Sequence, residues 1–173
     1  FLGRRYLVGL NSYPKFQKRK KKIKNILIFL TGSKNKINFK LASFIREEFE
    51  FFSKFNISFI SADYLDLKKK FNLKFIRFYN LLSIPRMSKL LAKNDIVLSG
   101  QGNFKYEIMM TGQPLIIITE KNFYLLLKKR LSGINVINIE KLIKIKNLLS
   151  RSDYFQKWEV KKKEKLFLKK IFS

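Results

Sequence analysis

Cysteine and histidine are both absent from the 173 residues. Without cysteine there is no disulfide framework and no thiolate metal site, and the zero count agrees with a reducing compartment. Without histidine the commonest general base and the commonest metal ligand are missing. Chemistry done by this chain alone must therefore use Asp, Glu, Lys, Tyr or Ser. No apolar run approaches the ~20 residues that span a bilayer. The first residue is Phe1, and no signal-peptide pattern follows it. The expectation is a piece cut from a longer chain.

Acidic residues are scarce: 12 Asp and Glu stand against 38 Lys and Arg, leaving a formal charge of +26. Such an excess suits a polyanionic partner, either nucleic acid or an anionic membrane surface. It is also what compositional drift in an AT-rich genome produces, since Lys, Phe, Asn and Ile are abundant together. Lysine far outweighs arginine, whereas readers of phosphate and base edges favour arginine forks. The lysines spread along the whole chain, with local runs at Lys18 to Lys22 and Lys161 to Lys165. The compositional reading is preferred over nucleic acid. Weak attraction to anionic lipid headgroups fits either reading.

A hydrophobic fraction of 46% supports a core of ordinary domain size. Apolar runs of strand length alternate with stretches of helical spacing. Strands are expected at Ile23 to Leu30, Asn56 to Ser61, Leu73 to Tyr79, Asp95 to Ser99, Leu115 to Thr119 and Ile134 to Ile139. Helices are expected at Phe39 to Phe52, Arg86 to Lys93, Asn103 to Met110, Asn122 to Leu131, Glu140 to Leu149 and Asp153 to Phe172. Asp63 to Lys70 reads as a helical turn or loop. Strands separated by helices imply right-handed crossovers. The fold class is therefore α/β: a Rossmann-like three-layer domain with a six-stranded, mainly parallel sheet. Residues 1–22 form a lead-in and basic linker, 23–150 the sheet domain and 151–173 a basic C-terminal helix.

Ligands of open parallel sheets bind beyond the carboxyl ends of the strands. Three loops there carry unusual residues: Thr31-Gly32-Ser33, Ser99-Gly100-Gln101-Gly102-Asn103 and Thr119-Glu120-Lys121-Asn122. In the second, a strand passes through glycines straight into a helix. Glycine lets backbone approach a ligand, and free amides at a helix start attract phosphate. Glu107 lies a turn further in, where its carboxylate can accept from ribose hydroxyls. A tight strand-to-helix turn, with Glu107 simply favourable near the helix start, explains the local pattern equally well. Other groups read as structure. Asp63 and Asp66 suit capping in a surface turn, and Phe49, Phe51, Phe52 and Phe55 suit helix-to-sheet packing.

The longer stretch from Met87 to Asn122, MSKLLAKNDIVLSGQGNFKYEIMMTGQPLIIITEKN, resembles the nucleotide-binding region of GT-B enzymes. There an "ADLAIS" strand leads into "AGGSTLYELAALGVPSIII" and a "DNQ" loop. The likeness is greatest to the family of UDP-sugar hydrolases of pseudaminic acid biosynthesis and their spore-coat polysaccharide glycosyltransferase-like relatives. Phe1 to Tyr6 and Asn25 to Ser33 are similar to that family's second-domain opening and first strand. The resemblance implies the UDP-sugar-binding half of a nucleotide-sugar hydrolase or glycosyltransferase. Its N-terminal half, which supplies the base, would be missing. It also implies these roles: Gly32 and Ser33 beside the diphosphate; Ser99, Gly102 and Asn103 on the phosphates; Glu107 on the ribose; Asn122 on the sugar or phosphate. No catalytic residue, metal or cofactor is implied for this chain, which would be an inactive fragment by itself. Trp158 would pack on the absent half. The location implied is cytoplasmic, peripheral to the inner face of the membrane.

Departures from the pattern are plain. Gln101 replaces a glycine, Phe104 a small hydroxyl residue, Phe123 a glutamine and Lys34 an aspartate. They fit a changed donor or a degenerate copy. The alternative from a different class is a basic, non-catalytic protein that binds RNA or a ribonucleoprotein.

Overall fold

The computed structural model describes residues 22–31, 36–131 and 133–150. Six strands form one sheet: β1 (Asn25–Phe29), β2 (Asn56–Ile60), β3 (Ile76–Tyr79), β4 (Ile96–Ser99), β5 (Leu115–Thr119) and β6 (Asn135–Asn138). Their spatial order is β3-β2-β1-β4-β5-β6, and every pairing is parallel. This is the doubly wound order, in which the chain leaves the centre in one direction and then returns to build the other half. The Rossmann-like α/β reading is thus the observed fold.

Among the described residues seven helices cover both faces: α1 (Lys36–Glu47), α2 (Phe49–Phe52), α3 (Tyr64–Phe71), α4 (Ile84–Lys93), α5 (Phe104–Thr111), α6 (Lys121–Arg130) and α7 (Ile143–Leu149). Strand residues alternate between two cores, as the pleat requires. Ile26, Ile28, Ile96, Leu98, Ile116 and Ile118 face α1, α3 and α7. Leu27, Val97, Leu115 and Ile117 face Met87 and Leu91 of α4, Ile108 and Met109 of α5, and Leu127 of α6. Phe51, Phe52 and Phe55 pack as rings 5.1 to 6.4 Å apart beside the first core. Packing accounts for these three, as expected; Phe49, expected with them, is 50% exposed and meets the Phe75 ring edge-on, centroids 5.5 Å apart.

Two polar contacts lock the central strands. Asp95 Oδ2 accepts from the backbone N–H of Lys24 at 3.0 Å and of Asn25 at 2.9 Å. One carboxylate thereby joins the amino ends of β1 and β4, and a charged acceptor makes such bonds stronger than neutral ones. Buried Gln113 donates to the carbonyls of Leu91 at 3.2 Å and Asn94 at 2.7 Å, tying the end of α4 to the turn before β5.

Several boundaries depart from expectation. The helical turn or loop expected over residues 63–70 is a helix, Tyr64–Phe71, because Leu67 and Phe71, four apart on one face, both bury. Asp63 is buried and makes no side-chain cap bond. Only Asp66 is exposed as a surface turn would have it. The expected helix over Phe39 to Phe52 starts earlier and breaks at Glu48 into α1 and α2. Glu140 to Leu149 opens as a 3-10 turn, Ile139–Lys141, before α7. Gly32, Ser33, Lys34, Trp158, most of the basic linker and the last helix lie outside the described residues.

Candidate functional site

β1 and β4 are central neighbours whose crossovers run in opposite directions. The crevice beyond their carboxyl ends is the switch point where open parallel sheets bind ligands. The turn from Ser99 to Phe104 fills one side of it. Ser99 closes β4 in register with Phe29 and Ile117. Its side chain is buried, and its hydroxyl lies 3.5 Å from the Gly100 carbonyl oxygen.

The two glycines of the turn differ. A Cβ on Gly100 would lie 1.8 Å from the Leu30 carbonyl oxygen, so only glycine lets the β4 backbone pass so close to β1. A Cβ on Gly102 would meet nothing within 4 Å, so a small side chain there would stand in open space. Asn103 is exposed, and its carbonyl accepts from Tyr106 N at 2.9 Å as α5 begins. Glu107 follows within the first turn of α5 and is half-buried. Gly112 ends α5 in the left-handed region, φ 75°, and donates to Met109 O at 3.2 Å, a conformation glycine adopts without penalty.

Three side chains stiffen this turn. Gln101 receives a hydrogen bond on Oε1 from Thr119 Oγ1 at 2.9 Å. That bond couples the carboxyl ends of β4 and β5. Asn122, three residues after Thr119, is exposed in the first turn of α6 rather than on the loop expected there. Phe104 is half-buried and meets the Phe29 ring edge-on, centroids 4.9 Å apart, so packing at the end of β1 absorbs part of its bulk. Phe123 is exposed on α6.

The third side chain, Lys105, was not among the residues expected to matter. It is buried, and its Nζ donates to the carbonyl oxygens of Gln101 at 2.5 Å and Gly102 at 2.8 Å. The same ammonium sits 4.1 Å from the centroid of the Tyr106 ring, a cation–π contact. Burial lowers its pKa from 10.5 to about 8. A cation in the first turn of a helix opposes the helix dipole; the two carbonyls offset that cost. The sequence does hold a signal: Lys105, Ile108 and Met109 share the buried face of α5, the i, i+3, i+4 spacing of an inward stripe.

A second polar group occupies the end of β2. Asn38 Nδ2 donates to Ser61 Oγ at 2.9 Å and to Asp63 Oδ2 at 3.4 Å, and Asp63 N donates to Ser61 Oγ at 3.0 Å. All three residues are buried. Asn38 Oδ1 is a buried oxygen without a hydrogen-bond partner. Among the described residues no group of three or more acidic side chains could hold a metal ion, and no helix is long and apolar enough to cross a membrane.

The site residues thus divide. Ser99, Gly102, Asn103 and Glu107 lie along one strand-turn-helix segment, and Asn122 lies in the first turn of α6, after the adjoining strand β5. Gly32 and Ser33 follow β1 outside the described residues. No protein-family model matches this sequence, and no curated protein shows significant similarity to it.

Proposed function

We propose that the chain is the nucleotide-binding half of a nucleotide-sugar hydrolase or glycosyltransferase, with UDP as the nucleoside diphosphate. The observation that carries this reading is the turn at the switch point: Gly100 is held against Leu30 while the space beside the Gly102 Cα is open. A held turn of exposed residues leading into a helix start is suited to a diphosphate. In this reading Ser99 belongs to the strand side of the turn, Asn103 to the helix side, and Asn122 to the first turn of α6; Gly32 and Ser33, which follow β1 in sequence, complete the set the resemblance implies. Glu107 is the ribose partner in this reading. Lys105 adds positive charge behind the amides and holds the turn in shape.

The chain's contribution to chemistry is positional and electrostatic. In this reading, amides held in place by the turn would need little reorganisation when charge develops on a leaving diphosphate. The base and acceptor belong to a second domain in this reading. Nucleotide sugars are cytoplasmic metabolites, so the reaction is assigned to that compartment.

Calorimetric titration with UDP tests the proposal. The expected result is a saturable single site that Glu107→Ala weakens by about tenfold, the effect of removing one charged hydrogen-bond acceptor. Absence of a UDP response, together with tight RNA binding of steep salt dependence, would replace this reading with the nucleic-acid one.

A further inference from the structure

A different part of the carboxyl edge has another character. Edge strand β3 ends at Tyr79, the chain runs through an exposed loop, and α4 begins at Ile84. Between strand and helix lies an open groove of about 290 Å³ lined by Tyr79, Leu82, Arg86, Lys89, Leu90 and Lys93. Its floor is apolar and its rim is cationic. Arg86, Lys89 and Lys93 are spaced three and four apart, so they share one face of α4. No lining residue is acidic, and no Asp or Glu occurs between Asp66 and Asp95. Beside this row, Leu81 is 48% and Ile84 45% exposed, both at the loop that leads into the helix.

We infer that the β3–α4 loop and the basic face of α4 form a docking surface for an anionic lipid bilayer. The juxtaposition decides the partner. Aliphatic side chains projecting next to a row of cations match the boundary between acyl chains and anionic headgroups. Leu81 and Ile84 enter the apolar boundary while Arg86, Lys89 and Lys93 meet headgroup phosphates. Nucleic acid would draw on exposed aromatic rings for stacking, and here the one ring, Tyr79, is half-buried in the groove. The surface is separate from the turn proposed to hold UDP and does not depend on that proposal. If both hold, they bring the nucleotide site close to a membrane.

The full chain is tested by co-sedimentation with phosphatidylcholine vesicles, with and without phosphatidylglycerol. Binding should require the anionic lipid and fall as salt rises. The triple reversal Arg86→Glu, Lys89→Glu, Lys93→Glu should weaken it about a hundredfold or more, from several-fold per cation. Leu81→Asp with Ile84→Asp should weaken it about tenfold. The control is Lys128→Glu, Lys129→Glu, Arg130→Glu, which makes the same charge change on exposed positions of α6 and should leave most binding intact. Far-ultraviolet circular dichroism and melting temperature, unchanged in all three variants, show that folding is preserved. Equal loss in the α6 control would reduce the effect to bulk charge and overturn the proposal. So would equal binding to neutral vesicles, no vesicle binding, or retention of binding in the α4 variant.

Discussion

The turn after β4 and the loop after β3 occupy equivalent places in the fold, yet they are built in opposite ways. Each leaves a parallel strand at its carboxyl end and enters a helix of the same layer. The β4 turn is pinned from three directions: Gly100 against Leu30, Gln101 to Thr119, and Lys105 onto the carbonyls of Gln101 and Gly102. In the β3 loop the tie is local: Asn80 Oδ1 accepts from the Leu81 N–H at 2.7 Å. Ser83 makes no side-chain cap bond, and Leu81 and Ile84 project outward. A pinned turn with open space on one side can hold a small anion in a fixed geometry. A loop of projecting aliphatics beside cations suits an extended, deformable surface. Position in the fold therefore marks where a ligand can bind, and the local ties decide what kind.

The largest expected contrast is between the two glycines. Gly100→Ala forces a Cβ into the Leu30 backbone and should destabilise by about 3 kcal/mol or more, read by chemical denaturation. Gly102→Ala should stay within about 0.5 kcal/mol of the parent. Equal effects would erase the distinction on which the turn's reading depends.

Lys105 comes next. Its folded pKa, lowered by burial to about 8, lies below its unfolded value of 10.5. Below about pH 8 both states hold the proton. Between about 8 and 10.5 the unfolded state binds the extra proton, so this residue makes unfolding free energy rise with pH across that window. Lys105→Leu should remove that rise, measured as the difference between parent and variant in denaturant melts on either side of pH 8. An unchanged pH slope would mean the ammonium is well solvated.

Gln101→Ala deletes the bond to buried Thr119 and should cost about 1 kcal/mol. Smallest of all, Leu81→Asp with Ile84→Asp should leave stability within about 0.5 kcal/mol while still impairing vesicle binding. A large destabilisation there would show that the β3 loop is packed as firmly as the β4 turn.

Much of the fold was legible because its signals are local. The strand of Leu115 to Thr119 is five apolar-rich residues between a proline and a charged loop, and its limits came out as expected. Residues 64–71 were obscured by three consecutive lysines, which hide the Leu67–Phe71 stripe that makes them helical. The strand expected from Leu73 begins only at Ile76, once pairing with Ile57 starts. At the site, a glycine turn before a helix was visible. Which glycine is indispensable was not, since the answer depends on Leu30, remote in sequence. Lys105 escaped because a lysine is read as solvated unless a buried neighbour on its helix face says otherwise. The inward spacing with Ile108 and Met109 was that neighbour. Asn38 and Asp63 were likewise unreadable as a pair, because only the adjacency of α1 to the end of β2 brings them together.

The most direct test is UDP titration of the parent chain beside Gly102→Val. A Cβ there meets nothing within 4 Å, so the valine should leave the fold intact, while its branched side chain would stand where a diphosphate approaches the amides. The parent should bind UDP at one saturable site, and the variant, with an unchanged melting temperature, should lose it. UDP binding that survives the valine, or a parent that binds no UDP, would contradict the account.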